Sequence, residues 1–248
     1  MPSVDLNADM GEGSGRDTAL LDSVTSASVA CGFHAGTPAV MAATVAAAVE
    51  RGVTIGAHPS YADRAGFGRR DMAVAPERLA RDLHEQLTAL RDVAHRVGAA
   101  VRFVKPHGAL YNAMGRDGEL TRTVVSAMRA VDEDLVLLVQ AGTVAVDAAR
   151  AAGAAVATEA FADRAYRGDG SLAPRGDPGA VIDDSDAVVT RAVQLATEGT
   201  VRARDGTWLS LHPSSICVHG DTPDAAHLTR AVRTALTGAG IEIAPFVR

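Results

Sequence analysis

Histidines, carboxylates and a lysine follow several short apolar runs of this sequence. They are Asn7, Asp9, Glu12, His34, His58, Lys105, His107, Glu159, His219 and Asp221. Histidine and carboxylate side chains suit general acid–base chemistry near neutral pH, and they also suit the binding of a divalent metal ion. A single histidine of this kind is most often structural, but four of them stand in equivalent positions. The pattern therefore predicts one functional site to which several segments contribute.

The kind of chemistry stays open at this level. A metal site has candidate ligands in Asp9, His34 and His58, although the sequence contains no His-Glu-x-x-His motif and no paired Cys-x-x-Cys motif. The phosphate loop G-x-x-x-x-G-K-[ST] is absent too, so ATP would need an unfamiliar site or a partner. Cys31 and Cys217 lie within apolar segments, and we expect them to be buried, unreactive thiols.

Two predicted helix starts follow His34 and His219. Thr37-Pro38 and Thr222-Pro223 place proline at a first helical position and threonine at the cap. Free N–H groups at such ends attract carboxylates and phosphates, although ordinary capping explains them equally well.

Two long segments, 58–74 and 161–179, are rich in glycine, aspartate and arginine. The first contains Arg69 and Arg70, and the second contains Asp163 and Arg164. The first is either a solvated charged loop or a lid beside the site. The second can close over the site or dock a partner through its arginine and tyrosine side chains.

Seven apolar, β-branched runs alternate with stretches of helical spacing. They are 4–7, 28–33, 54–58, 101–105, 135–140, 155–159 and 215–219. Seven βα units predict an α/β fold with a seven-stranded (β/α) barrel, and an open doubly wound sheet is the alternative. Period-2 alternation in the first run places Asp5, Asn7 and Asp9 on one face. The carboxyl ends of the strands would bring the polar residues to one rim.

Length and composition predict a single domain over residues 1–248. The formal net charge is −6, and no lysine/arginine cluster offers the basic surface that nucleic-acid binding needs. No apolar stretch is long enough to span a membrane, and two cysteines are too few for a disulfide framework, so we expect a cytoplasmic protein. Lys105 is the only lysine among 24 lysines and arginines, which indicates a position that needs a compact ammonium group.

Six segments, in order, resemble the LamB/YcsF family from end to end of the chain. They are residues 5–12, 30–38, 56–70, 104–112, 159–166 and 217–221. The segment 104–112, Val-Lys-Pro-His-Gly-Ala-Leu-Tyr-Asn, is the most specific of them. Ala8 stands where the family often has cysteine, which excludes a catalytic thiol there. Ala62 stands where the family often has proline, which only loosens a loop.

The resemblance implies a barrel of the glycoside hydrolase/deacetylase type and an ATP-dependent 5-oxoprolinase, a hydrolase that opens 5-oxo-L-proline to L-glutamate. It implies two further subunits, B and C, as partners, ATP with Mg as co-substrate, and no activity of this chain alone. A five-membered lactam resists hydrolysis, so ATP would phosphorylate the amide oxygen before water attacks the ring carbon. The implied catalytic residues are Asp9, Lys105, His107 and His219. The implied substrate- or phosphate-binding residues are Asn7, Glu12, His34, His58, Arg69, Arg70, Glu159, Asp163, Arg164 and Asp221.

Two other functions remain open from the sequence. A metal-dependent hydrolase or deacetylase of carbohydrate amides would bind one divalent ion and would not require ATP. A non-catalytic binding or scaffolding protein would lose assembly, but not turnover, when Lys105 or His107 is changed.

Overall fold

The structure, a computed structural model, describes residues 2–219 and 224–247. Its strands are β1 (Ser3–Met10), β2 (Ser26–Ala30), β3 (Thr54–His58), β4 (Val101–Val104), β5 (Val136–Gln140), β6 (Ala155–Phe161), β7 (Thr200–Arg202), β8 (Trp208–Ser210), β9 (Ser215–Cys217) and β10 (Glu242–Ile243). Its helices are α1 (Asp17–Leu21), α2 (Pro38–Glu50), α3 (Pro76–Arg96), α4 (Gly108–Met114), α5 (Gly118–Val131), α6 (Val144–Ala151), α7 (Ser185–Thr197) and α8 (Ala225–Gly238).

Seven parallel strands close into a barrel. Strands β1 to β6 pair in sequence order, and β9 pairs with both β6 and β1. The closure confirms the predicted seven-stranded barrel, and all seven predicted runs overlap its strands. An open doubly wound sheet is excluded because β1 and β9 are hydrogen-bonded neighbours. Strand β10 adds two residues beside the start of β1, and the short β7–β8 hairpin lies outside the barrel.

The helices cover the outside of the barrel because their apolar faces pack on the outward side chains of the strands. In α3, for example, Leu79, Leu83, Leu87 and Leu90 recur at helical spacing and are all buried. The helix start predicted at Pro38 is confirmed, and the Thr37 side chain accepts a hydrogen bond from Val40 N. The start predicted at Thr222-Pro223 lies outside the described residues. None of the helices that the structure describes has the length and apolar composition to cross a bilayer.

The inside of the barrel is layered along the strands. Residues two apart on a strand share a face, so Phe103 precedes Lys105 and Leu138 precedes Gln140 on the inner side. Phe103, Leu138 and Ala157 form a small apolar cluster, against which Phe246 packs with its ring centroid 5.1 Å from that of Phe103. The apolar layer fills the amino-terminal part of the barrel, and the polar side chains follow it towards the carboxyl ends of the strands.

Candidate active site

The Lys105 ammonium group forms the floor of the polar region. It follows β4 and is 2% exposed, and its Nζ donates to Asp9 Oδ1 at 3.0 Å and to Asn7 Oδ1 at 3.1 Å. Glu159 Oε2 lies 3.1 Å from the same atom, and Cys217 Sγ lies 3.2 Å from it. Burial disfavours the charged amine, but the surrounding acceptors, above all Asp9, outweigh burial and raise the pKa of Lys105 well above its ordinary value.

Glu159 is fully buried below the ammonium group and is held by two further donors. Tyr111 Oη, from α4, donates to Glu159 Oε1 at 2.7 Å, and Asn7 Nδ2 donates to Oε2 at 3.2 Å. Burial and the neighbouring Glu159 carboxylate raise the pKa of Tyr111 well above its ordinary value, so the phenol stays a hydrogen-bond donor. Asn7 and Glu159 therefore fix the position of Lys105 from below.

His219 is held by Asp163, which follows β6. His219 Nδ1 lies 2.9 Å from Asp163 Oδ1, and the backbone N of His219 donates to Oδ2 at 2.9 Å. Burial favours the neutral acid, but the adjacent His219 outweighs it and lowers the pKa of Asp163. A carboxylate that accepts from Nδ1 fixes the ring's orientation and leaves Nε2 for proton transfer. The His219 ring stacks on Phe161 at 5.4 Å.

Three histidines and a glutamate form a second group at the ends of β1 to β4. His58 Nε2 lies 2.9 Å from His107 Nδ1, and Glu12 Oε1 lies 3.1 Å from His34 Nε2. Burial and the neighbouring histidines lower the pKa of His107 well below its ordinary value. Burial disfavours the charged form of His58 as well, but the Asp9 carboxylate outweighs it and raises the pKa of His58.

Among the residues that the structure describes, two groups of side chains can hold a metal ion. The first is Glu12, His34, His58 and His107, and the second is Asp9, Cys217 and His219; in each group the ligand atoms lie within 4.8 Å of one another. Of the ligands predicted from sequence, His34 and His58 fall in the first group and Asp9 in the second.

A cavity of about 560 Å³ opens above these groups. Among the residues that line it are Asp9, Glu12, His58, Lys105, His107, Tyr111, Phe161 and His219, together with Arg69, Arg116, Arg164, Arg167 and Arg175. Its volume is within the range of small-molecule sites, roughly 300–1,000 Å³. Histidines and carboxylates at the floor and arginines at the walls suit a small anionic substrate that needs acid–base chemistry.

The segment after β3 forms one wall of the cavity. Arg69 lines the cavity with its guanidinium 4.9 Å from the Phe67 ring, and Phe67 packs edge-on against His34 and His107. Arg64 donates to the carbonyls of Gly32 and Gly36 at 2.8 and 2.9 Å, which ties the segment down. These contacts anchor the segment as a wall of the site, while residues 69–73 are exposed to solvent.

Arg70, predicted to bind substrate or phosphate, is not among the residues that line the cavity. Its Nε donates to Asp63 Oδ1 at 2.8 Å, and its Nη2 contacts the same carboxylate oxygen. Asp63 also accepts from Gly66 N at 3.0 Å, so the pair holds the turn at Arg64–Gly66. The structure therefore places Arg70 in the support of the wall.

The segment after β6 forms the opposite wall. Arg164 lines the cavity and donates to the carbonyls of Ala173 and Ala180. Tyr166, a candidate for docking a partner, is fully buried, and its hydroxyl accepts from Phe161 N at 2.8 Å. It therefore supports the wall from within. Asp221, predicted to bind substrate or phosphate, lies outside the described residues.

The structure brings most of the predicted site residues together, some lining the cavity and others directly behind them. Asp9, Glu12, His58, Arg69, Lys105, His107, Arg164 and His219 line the cavity. Asn7, His34, Glu159 and Asp163 lie behind them and contact them. Sequence reasoning missed Tyr111 and Cys217 as parts of the site. Tyr111 has a weak signal, because it lies four residues after His107 and one helical turn brings it to the same face.

The two cysteines are buried and unpaired, as expected. Burial raises the pKa of Cys31 to about 12 and that of Cys217 well above its ordinary value, so both thiols stay protonated. The surroundings of Cys217 are polar and not apolar, however, because its Sγ contacts the Lys105 ammonium group.

Comparison with known proteins supports one family. The model of the LamB/YcsF family matches residues 4–248. A protein of Paracidovorax citrulli, named as the A subunit of 5-oxoprolinase, is 50% identical over 98% of this chain and 99% of its own length. A lactam utilization protein from Thermus thermophilus has a solved structure that superposes with a TM-score of 0.92 at 42% identity, over 98% of this chain and 100% of that one.

A family 4 carbohydrate esterase from Streptomyces lividans has the same type of barrel. It superposes with a TM-score of 0.52 over 98% of this chain and 91% of its own, but only 12% of the aligned residues are identical. The likeness confirms the deacetylase-type fold and carries no argument about activity.

Proposed function

The chain belongs to the LamB/YcsF family, and we propose that it is the A subunit of an ATP-dependent 5-oxoprolinase, which opens the lactam of 5-oxo-L-proline to L-glutamate. The observation that carries the proposal is the 50% identity, over nearly the full length of both chains, to a protein named as the A subunit of 5-oxoprolinase. The carbohydrate amide hydrolase is not favoured, because the likeness to the esterase extends only to the fold.

The chemistry of the cavity is consistent with this reaction. 5-Oxoproline carries a carboxylate, and Arg69, Arg164 and Arg175 place positive charge on the walls of the cavity. ATP, as its magnesium complex, would supply a phosphoryl group to the amide oxygen, and this phosphorylation would make the ring carbon more electrophilic towards water. Arg69, which lines the cavity, suits the negative charge that develops during phosphoryl transfer.

Opening the ring needs a base for water and an acid for the ring nitrogen. Water adds to the ring carbon and gives up a proton, and the ring nitrogen takes a proton as the C–N bond breaks. The remaining acyl phosphate is hydrolysed to glutamate and phosphate by a second water. Asp9, His107 and His219 face the cavity and suit these proton transfers, and Asp163 holds His219 for the purpose.

The proposal includes two partner subunits, B and C, because the relatives are named as subunits of a larger enzyme. It places the protein in the cytoplasm, where ATP is available and the unpaired thiols of Cys31 and Cys217 stay reduced.

The deciding experiment measures glutamate and ADP formed from 5-oxoproline and ATP. We expect equal amounts of both products from a mixture of this chain with the B and C subunits, and neither product from this chain alone. An assembled three-component complex without turnover would contradict the proposal.

A variant separates catalysis from scaffolding. Asp9→Asn, which changes a cavity residue, should abolish turnover in complexes that still assemble. Asp92→Asn, on the exposed side of α3, is the matched control and should keep wild-type turnover. Full turnover by an assembled Asp9→Asn complex would support the scaffolding role instead.

A further inference from the structure

The hydrogen bonds of His58 and His107 fix the tautomers of both rings. His58 Nδ1 lies 2.6 Å from the carbonyl oxygen of Lys105, and His107 Nε2 lies 2.9 Å from the carbonyl oxygen of Phe67. A carbonyl oxygen can only accept, so each of these ring nitrogens carries a hydrogen. In the neutral rings, His58 Nε2 and His107 Nδ1 are then both lone-pair acceptors.

These two acceptor nitrogens lie 2.9 Å apart. Two lone pairs at this distance repel each other unless a cation lies between or beside them, and that cation is either a proton or a metal ion. The carboxylate oxygen Oε1 of Glu12 completes a triangle, 3.3 Å from His107 Nδ1 and 3.9 Å from His58 Nε2. An anionic ligand beside two imidazole lone pairs is a donor set that suits a divalent ion.

The size of the triangle matches that of a metal site. A circle through three points separated by 2.9, 3.3 and 3.9 Å has a radius of about 2.0 Å. Zinc binds imidazole nitrogen at about 2.0–2.1 Å and carboxylate oxygen at about 2.0–2.2 Å. One ion can thus reach all three atoms without a rearrangement of the backbone.

The surroundings are those of an oriented site with an open side. Glu12, His58 and His107 line the cavity. His34 is buried behind them: its Nε2 donates to Glu12 Oε1 at 3.1 Å, and its ring stacks on His107 at 3.9 Å. Contacts of this kind, together with the two carbonyl acceptors, are what orients metal ligands in proteins.

The other candidate group already contains a cation. Lys105 Nζ lies 3.0 Å from Asp9 Oδ1 and 3.2 Å from Cys217 Sγ, so its ammonium group neutralises that cluster. The histidine cluster is therefore the better of the two places for an ion.

From this geometry we propose that His58 Nε2, His107 Nδ1 and the Glu12 carboxylate bind one divalent transition-metal ion of the zinc type, with its open side facing the cavity. Three protein ligands and an open position are the arrangement of catalytic zinc sites. Two imidazoles favour zinc or cobalt over magnesium, which prefers oxygen ligands. His107 is then a metal ligand, and the proton transfers of ring opening fall to Asp9 and His219 alone. Metal binding needs neither ATP nor the partner subunits, so it can hold or fail independently of the proposed function.

The test uses the full-length chain after treatment with a chelator. We expect isothermal titration with Zn²⁺ to show one ion bound per chain, Co²⁺ to give the visible absorption of a low-coordinate site, and Mg²⁺ to bind much more weakly. Glu12→Gln, His58→Gln and His107→Gln should each weaken Zn²⁺ binding by more than about 100-fold, since loss of a mere supporting contact already weakens binding about 10- to 100-fold.

His84→Gln is the matched control, because His84 lies on the exposed side of α3, and it should keep wild-type affinity. Circular dichroism identifies any variant that does not fold. If a histidine variant does not fold, the Zn²⁺ affinity of Glu12→Gln is the deciding measurement, because this change keeps the size of a side chain at the rim of the cavity. If Zn²⁺ and Co²⁺ do not bind stoichiometrically, or if folded Glu12→Gln binds them as tightly as the wild type, the shared cation is a proton and the proposal is wrong.

Discussion

The buried ammonium group of Lys105 compensates the negative charges of the Asp9 and Glu159 carboxylates. Its ammonium group contacts Asn7, Asp9, Glu159 and Cys217, so it has more acceptors than its three N–H bonds can serve. An arginine fork is planar and larger, and it would not fit among acceptors that converge on one point. That geometry explains why the only lysine of an arginine-rich chain stands at this position.

Lys105→Met should destabilise the protein because it removes the charge that compensates Asp9 and Glu159. Removal of one partner of a buried ion pair lowers the free energy of unfolding by roughly 3–5 kcal/mol. Urea unfolding at pH 7 measures the loss. Arg102→Met, which changes an exposed cation of β4 three residues before Lys105, is the control and should change the free energy of unfolding by less than about 0.5 kcal/mol. Equal stability of Lys105→Met and the wild type would contradict this account of the floor.

Asp163→Asn should impair turnover through His219. The carboxylate accepts from His219 Nδ1 and from the backbone N of His219, and an amide cannot hold the ring in the same tautomer with both contacts. By analogy with other carboxylate–histidine pairs, we expect turnover of the assembled enzyme to fall by about 10²- to 10⁴-fold, with little change in KM. Asp183→Asn, which changes an exposed aspartate just before α7, should behave as the wild type. A rise in KM with turnover unchanged would point to a binding role for Asp163.

The two long connections after β3 and β6 are the elements that convert a barrel rim into a cavity. Close backbone approach holds the first of them in place: Ala109 N donates to the carbonyl of Gly68 at 2.9 Å. Gly68 and Gly108 both have positive φ, of 64° and 60°, and a Cβ at Gly108 would lie 2.4 Å from the Gly68 oxygen. The wall therefore requires glycine on both sides of the contact.

Gly108→Ala should open this contact and disturb His107. A left-handed backbone costs a non-glycine residue about 1–2 kcal/mol, and the clash with a backbone oxygen adds to it, so we expect a loss of more than about 3 kcal/mol in the free energy of unfolding. Gly98→Ala is a sharp control, because Gly98 also has a positive φ, of 72°, but a Cβ there meets no atom within 4 Å. Similar losses in the two variants, measured by urea unfolding, would show that the Gly68 contact contributes nothing.

At the scale of the whole molecule, the barrel was predictable because its signals are local and repeated. Alternation along β1 was enough to place Asp5, Asn7 and Asp9 inside, and parallel strands had to bring their carboxyl ends to one rim. The sequence did not predict which of two adjacent residues faces the cavity. Of the arginines 69 and 70, for example, Arg69 lines the cavity and Arg70 binds Asp63. Contacts between distant segments, such as Cys217 with Lys105, also leave no pattern in the sequence, because only the closed barrel brings them together.

Barrel closure also buries a carboxylate, Asp5, where β1 meets its two neighbours. Ser26 and Thr25 donate to Asp5 Oδ1 at 2.6 and 2.7 Å, and Ser215 of β9 donates to Oδ2. Burial raises the pKa of Asp5 from 3.8 to about 6, and these hydroxyl donors only partly oppose it. The folded protein thus holds a proton on Asp5 more tightly than the unfolded chain does.

The pH dependence of stability should therefore carry a contribution from Asp5 of a definite sign. Because the pKa of Asp5 is raised on folding, the charged carboxylate destabilises the folded protein fully above about pH 6. This destabilisation is lost as the pH falls towards 3.8, where Asp5 is protonated in the folded protein. The difference in free energy of unfolding between Asp5→Asn and the wild type should thus favour the variant by about 2 kcal/mol more at pH 7.5 than at pH 4.5. Urea unfolding of both proteins at the two pH values measures this difference, with Asp92→Asn on the exposed side of α3 as the control. If the difference in free energy of unfolding between Asp5→Asn and the wild type is the same at both pH values, Asp5 is ionised in the folded protein at both. The three hydroxyl donors then fully compensate the buried carboxylate.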